Sequence, residues 1–339
     1  MAGTGFRSVI GHSGVVTHLQ RAIASDRVSQ AYLIAGEAGS GKRTVAEAFT
    51  LTLMCAKPEE GPDACGQCPS CRKILDHNHP DVITVTHEKP GVITVDEIRT
   101  QVVNTADILP YEGGRKIYLI PDAEKMNPQA QNALLKTIEE PPSYAVFLLL
   151  TAAQEAMLPT ILSRCVKLTL LPVEDRLVSE YLERELRLPD YEARVITAFA
   201  QGNIGKAREE ATDAAASERR TEVLTLLKNL YQMDAAALCD AVKSLKEEKD
   251  DLPDVFDIML LYFRDLFLYQ ATGDDSRLVF RGENDTIREA AGRVFPGALY
   301  AVFDALDEAR VRIRGNVNAE ATLENLLFVL QDALKGDLK

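Results

Sequence analysis

Residues 36–44, Gly-Glu-Ala-Gly-Ser-Gly-Lys-Arg-Thr, bring glycines, one lysine and four further polar side chains into a single short stretch. Gly36, Gly39 and Gly41 allow a tight turn whose backbone N–H groups converge, and the Lys42 ammonium adds a charge at the same point. A strand feeding such a turn and then a helix suits a phosphate, because the helix dipole and its free N–H groups aim at one place. The stretch reads as a P-loop. The position after the lysine, where a Ser or Thr hydroxyl would hold Mg²⁺, carries Arg43. Thr44 follows about 100° further round the helix and does not replace that hydroxyl. ATP or ADP binding is therefore left open, and hydrolysis is disfavoured.

Cys55, Cys65, Cys68 and Cys71 form a second group, spaced C-x9-C-x2-C-x2-C. The C-x2-C steps let neighbouring thiolates turn towards one ion, and Cys55 returns as fourth ligand from the end of the preceding helix. A tetrahedral Zn²⁺ with bonds of about 2.3 Å needs that arrangement, and a four-thiolate shell leaves no position for water, so the expected zinc is structural. His77 and His79 are nearby spare ligands, read as ordinary loop residues. Three further residues bear on phosphate chemistry. Asp122 ends an apolar run where a Walker B aspartate would orient Mg²⁺, but Ala123 follows it in place of a second acid. Thr151 ends another apolar run beside the phosphate edge of the sheet. Arg164, after Ser163, is a planar cation in an otherwise apolar stretch, suited to a salt bridge or to a neighbour's γ-phosphate.

The elements that position these residues follow from hydrophobic period. Val15, Val16, Leu19, Ala22 and Ile23 predict an amphipathic helix over 14–25. Ala31–Ala35, Asp81–Thr86, Lys116–Ile120, Tyr144–Leu150 and Cys165–Leu170 predict strands. Lys42–Met54, Val95–Ile108 and Asn127–Glu140 predict helices, the last capped by Asn127 and stopped by Pro141-Pro142. Strands alternating with helices imply a parallel, three-layer α/β domain over 1–171, with the cysteine module at 55–71. Three short helical patterns, Val173–Arg187, Tyr191–Gln201 and Ile204–Ala216, form a lid over 172–214. From 215 to 339 only helical periodicity remains, which predicts a bundle. Glu247–Asp251 reads as a solvated connector.

With 339 residues the chain has room for two or three domains of about 100–200 residues each. A formal charge of −13 and a pI near 5.0 exclude a chain-wide nucleic-acid footprint, which needs a basic face. No charged-then-apolar leader and no run of about 18 apolar residues is present, so a cytoplasmic protein is expected.

A P-loop α/β domain, a three-helix lid and a helical third domain resemble the AAA+ clamp-loader subunits. Residues 130–142, Ala-Gln-Asn-Ala-Leu-Leu-Lys-Thr-Ile-Glu-Glu-Pro-Pro, together with Ser163-Arg164-Cys165 and the cysteine insertion, resemble the bacterial DNA polymerase III clamp-loader family over about residues 5–210. In that family motor subunits hydrolyse ATP and the delta-prime branch does not. Motor subunits place Ser or Thr after the P-loop lysine, Glu after the Walker B aspartate and an arginine in the third lid helix. Here Arg43, Ala123 and, within residues 202–206, Gly205 stand at those places, while Ser163-Arg164-Cys165 is intact. The resemblance thus implies a degenerate site of its own and Arg164 as a finger for a neighbour, with Ser163 beside it. It implies a collar built from residues 215–339. As partners it implies motor subunits, a clamp-opening delta subunit and, through the complex, the sliding clamp and primer-template DNA, without a membrane. Two other readings are an ATPase in its own right, which Lys42 and Asp122 allow, and a zinc-stabilised nucleic-acid-binding module.

Overall fold

The computed structural model describes residues 4–58, 62–112, 114–247, 251–315 and 317–338. Gly113 of the expected break and residues 248–250 of the expected connector lie outside them. The chain divides into two compact units, Met1–Tyr181 with Gln201–Lys206, and Leu182–Ala200 with Ala207–Lys339.

In the first unit, a five-stranded sheet of order β2-β3-β4-β1-β5 is parallel throughout. Its strands are β1 (Ala31–Ala35), β2 (Val82–Thr84), β3 (Lys116–Ile120), β4 (Ala145–Thr151) and β5 (Val166–Thr169). β1, β3 and β4 are buried along their whole length, as their continuous apolar runs require of strands covered on both faces. One face packs Tyr32, Ile34, Ile117, Val146 and Leu148 with Val45 and Phe49 of α2 (Lys42–Met54). The other packs Leu33, Tyr118, Ile120, Phe147 and Leu149 with Leu134. Leu33, Ile34, Phe147, Leu148 and Leu149 have no exposed surface, and each such side chain stabilises by about 1.5–3 kcal/mol. α1 (Ser13–Ala24) precedes β1.

Local chemistry sets the remaining boundaries of this unit. α3 (Pro69–Leu75) lies inside the cysteine module. The helix expected from Val95 is α4, residues 95–106, α-helical over Val95–Ile98 and Asn104–Ala106 and widened to a π turn over Arg99–Val103. Thr94 and Glu97 start it with a reciprocal capping box. At its far end the buried Lys116 ammonium donates to the Thr105 and Ile108 carbonyls, at 2.8 and 3.2 Å. α5 (Pro128–Glu139) is capped by Asn127, whose side chain accepts from the Ala130 N–H at 2.8 Å. β2 is shorter than the alternating stretch 81–86. Asp81 instead turns its buried carboxylate to the Tyr111 and Glu112 N–H groups, at 2.6 and 2.7 Å.

The second unit is helical. α8 (Asp190–Ala200), α10 (Ala214–Asn229), α11 (Ala235–Glu247), α12 (Leu252–Thr272), α13 (Asn284–Arg293), α14 (Pro296–Arg314) and α15 (Ala319–Lys335) share one core that includes Phe199, Leu227, Phe256, Met259, Phe263, Leu299, Leu323 and Leu327. Two helices were not separable by period. α13 carries only small apolar groups beside Ile287, and the pattern 204–216 breaks into α9 (Ile204–Thr212) and α10 because Asp213 caps a new helix through the Ala215 N–H at 3.0 Å. α7 (Asp175–Glu185) begins in the first unit. No described helix is long and apolar enough to cross a membrane.

Candidate functional site

The glycine loop leaves β1 and enters α2 as its residue types demand. Gly39 and Gly41 adopt φ of +79° and +91°, the left-handed region where a Cβ is strained. The Gly36 N–H donates to the Thr151 carbonyl at 3.1 Å, which sets the loop at the carboxyl ends of β1 and β4. Lys42 folds back on this loop: its Nζ donates to the Gly36 and Glu37 carbonyls, at 2.6 and 2.7 Å. Burial lowers its pKa, and the carboxylates of Glu124, Asp122 and Glu37 act against that shift.

The other expected ligands of the loop point elsewhere. Arg43 pairs with Glu47 one turn on, at 2.7 Å, on the exposed side of α2, and Thr44 is exposed as well. Asp122, in a left-handed conformation after β3, pairs with Lys125 at 2.9 Å. Thr151 is fully buried and its hydroxyl accepts from the Ala153 N–H at 3.1 Å. A cavity of about 360 Å³ includes Arg43 and Glu47 of α2, His77, His79 and the ends of β2 and β3, and Lys42 is not among its lining residues.

Three residues close over the loop: His12 and Asn203, which the sequence did not assign, and Gly205, which it marked only as the place of a missing arginine. His12 Nε2–H donates to the Ser40 carbonyl at 3.0 Å, with the imidazole pKa lowered by burial. Asn203 Nδ2 donates to the Ala38 carbonyl at 2.7 Å, and the Gly205 N–H to the Gly39 carbonyl at 2.9 Å. A Cβ at Gly205 would lie 2.5 Å from Gly39 Cα, so the first turn of α9 rests directly on the glycine loop only because both residues are glycines. These contacts span 28 and 165 residues, and no local pattern signals them. Glu124, two residues after Asp122, was also unassigned; its Oε2 is buried without a hydrogen-bond partner.

The cysteines converge as their spacing predicts. The four Sγ atoms lie within 4.8 Å of one another, and all four thiols are free. Cys55 ends α2, Cys68 caps α3 and Cys71 follows inside it. Successive backbone N–H groups donate to sulfur: Cys65 to Cys55 at 3.5 Å, Cys68 to Cys65 at 3.4 Å and Cys71 to Cys68 at 3.4 Å. Cys55 and Cys65 sulfurs are 3.5 Å apart, against about 3.8 Å for thiolates around a tetrahedral Zn²⁺ with 2.3 Å bonds. Burial opposes ionisation of Cys68, but the Cys71 and Ala56 N–H groups and the adjacent thiols bring its pKa down to about 6. Burial and the Cys68 and Cys55 thiols raise that of Cys71. The donor set fits a closed, structural metal site. His79 is not in the group; it is buried and its Nδ1 accepts from the Asp81 N–H at 3.1 Å.

Arg164 follows the short helix α6 (Pro159–Leu162). Gln131 of α5, itself buried, holds that segment: its Nε2 donates to the Met126 and Ala156 carbonyls, both at 3.1 Å, and its Oε1 accepts from the Leu158 N–H at 2.8 Å. The Arg164 guanidinium donates from Nη1 to the Thr160 carbonyl at 2.9 Å and to Ser163 Oγ at 3.2 Å, and Nη2 is 2.7 Å from Glu139 Oε1. Its side chain keeps 37% of its surface exposed.

A family model described as DNA polymerase III, delta subunit, matches residues 11–174, and one described as DNA polymerase III, delta subunit, C terminal, matches residues 215–332. The chain is similar to DNA polymerase III subunit delta' of Bacillus subtilis, 28% identical over 322 residues that cover 94% of the chain and 95% of the relative. It is 32% identical to the Pseudomonas aeruginosa subunit of the same name over 312 residues, covering 88% and 90%. Among solved structures, a gamma subunit-related protein of Thermotoga maritima is 23% identical and covers 94% of this chain and 98% of its own, with a TM-score of 0.41. The chain belongs to the DNA polymerase III delta' family of clamp-loader subunits.

Proposed function

We propose that this chain is a non-hydrolysing stator of the clamp loader that supplies Arg164 in trans to the ATP site of a motor subunit. The observation that carries this reading is an asymmetry. Lys42 is satisfied by its own loop and Gly205 sits on Gly39, while the Arg164 guanidinium stays at the surface. Phosphoryl transfer depends on groups that act on Mg²⁺, water and the γ-phosphate. Arg43 turned to Glu47, the buried methyl of Ala123 and the bare Gly205 supply none of them.

In the assembly, residues 1–171 form the α/β domain, 172–214 the lid and 215–339 a collar domain that packs beside its homologues in the other subunits. Motor subunits, a clamp-opening delta subunit, the sliding clamp and primer-template DNA are the partners. Zn²⁺ held by Cys55, Cys65, Cys68 and Cys71 cross-links the end of α2 to α3 and does no chemistry on substrate. The test is reconstitution with motor and delta subunits: Arg164→Ala lowers DNA-stimulated ATP hydrolysis and clamp loading while the complex still assembles. An isolated chain that hydrolyses ATP, and loses that turnover on Lys42→Ala, establishes the motor reading instead.

A further inference from the structure

We infer that Glu139 is a placeholder for phosphate: its carboxylate pairs with Nη2 of the Arg164 guanidinium until a neighbour's nucleotide displaces it. The inference rests on the finger reading and adds a control on it. A guanidinium has five N–H donors in a planar fork. The two on Nη1 are spent on the Thr160 carbonyl and Ser163 Oγ, which fix the plane of the group against the end of α6. The Ser163 hydroxyl in turn donates to the same Thr160 carbonyl at 3.0 Å, so its own position is set. Nε and Nη2 remain, and Glu139 Oε1 stands 2.7 Å from Nη2 as an ion pair. An anion that engages Arg164 without unseating it from α6 binds at Nε and Nη2, where it competes with this carboxylate for Nη2.

The site of Glu139 makes the displacement easy. It is the last residue of α5, where the negative end of the helix dipole disfavours a carboxylate, and Glu140 adds a like charge next to it. Both partners keep about 40% of their side-chain surface, 37% for Arg164 and 41% for Glu139. Ion pairs so exposed are weak, so a triphosphate with more charge out-competes a single carboxylate. Until then the carboxylate holds the guanidinium in one orientation and neutralises it. Glu139 is thus a positioning residue that acts through Arg164.

The experiment measures DNA-stimulated ATP hydrolysis by the reconstituted complex carrying Glu139→Gln, which keeps shape and removes the competing charge. Because an exposed pair is worth at most about 1 kcal/mol, the expected gain in kcat is about two- to fivefold, with KM for ATP unchanged. Arg164→Ala lowers the rate, and the double variant shows no gain over Arg164→Ala alone. Glu139→Asp, which keeps the charge on a shorter arm, gives a smaller gain, and equal melting temperatures of the variants exclude loss of fold. An unchanged or lowered kcat in Glu139→Gln, or a gain that persists in the double variant, overturns the placeholder while leaving the finger intact. A complex indifferent to Arg164→Ala overturns both.

Discussion

Gly39 and Gly205 are two glycines with one cause. Gly39 needs its positive φ to turn the loop, and Gly205 needs to lack a Cβ because the first turn of α9 lies on that turn. An arginine at position 205 is incompatible with this seat, because any side chain there would begin against the Gly39 backbone. Gly205→Ala puts a Cβ 2.5 Å from Gly39 Cα, against backbone that yields less readily than a side-chain tip. The segment 203–206 is expected to lift away, with the Gly205–Gly39 and Asn203–Ala38 hydrogen bonds lost and stability reduced by about 1–3 kcal/mol. Faster amide exchange at Gly205 and a lower melting temperature check this; wild-type values for both contradict it. The glycines, Lys42 and Arg43 were legible from type and spacing. His12 and Asn203 were not, because a side chain that closes on a backbone carbonyl far along the chain leaves no periodic trace.

Among the elements, those with strong local signals appear where their sequence puts them: Ala31–Ala35 and Lys116–Ile120 as buried strands, Lys42–Met54 as the helix that the loop opens. The ones that shift do so where a side chain takes over a backbone role, as Asp81 does at β2 and Asp213 between α9 and α10. Asp265 does the same inside α12. Its fully buried carboxylate accepts from the Val279 and Phe280 N–H groups, both at 2.8 Å, and fastens residues 278–280 to the helix. Burial pushes its pKa from 3.8 up to about 6, against the pull of those N–H groups and Arg264. The folded chain therefore keeps a proton that the unfolded chain releases. The group's contribution to stability is full below the unfolded pKa and is lost as pH rises through about 6. Asp265→Asn keeps an acceptor and removes the charge, so it should gain about 1 kcal/mol of unfolding free energy at pH 8 relative to wild type and little at pH 4. Urea titrations at the two pH values measure it, and an equal change at both contradicts it. The cysteine module is a second such fastening, since Asp63 beside it accepts from the Phe6 and Arg7 N–H groups, at 2.7 and 3.2 Å, and ties in the start of the chain. One zinc per chain is expected, and chelation or Cys71→Ser should lower the melting temperature; identical melting with and without chelator contradicts a structural metal.

For the whole molecule, a charge of −13 leaves no excess of positive charge to form a chain-wide basic face for nucleic acid. The parallel sheet and the helical unit were readable as classes, because the change from alternating strands and helices to helices alone is a change of period. The helices of residues 182–200 and 207–212 group with the bundle by compactness, which follows from packing of Val195 and Phe199 with Leu224 and Leu227 and has no counterpart in their local pattern. The central claim is the division between a covered loop and a guanidinium kept for another subunit. Its most direct test is single-turnover ATP hydrolysis in the reconstituted, DNA-bound complex with Arg164→Ala in this chain alone. The account predicts that hydrolysis at the one site facing this chain falls by about 10³-fold or more, with assembly unchanged. Wild-type hydrolysis at every site of the variant complex would contradict it.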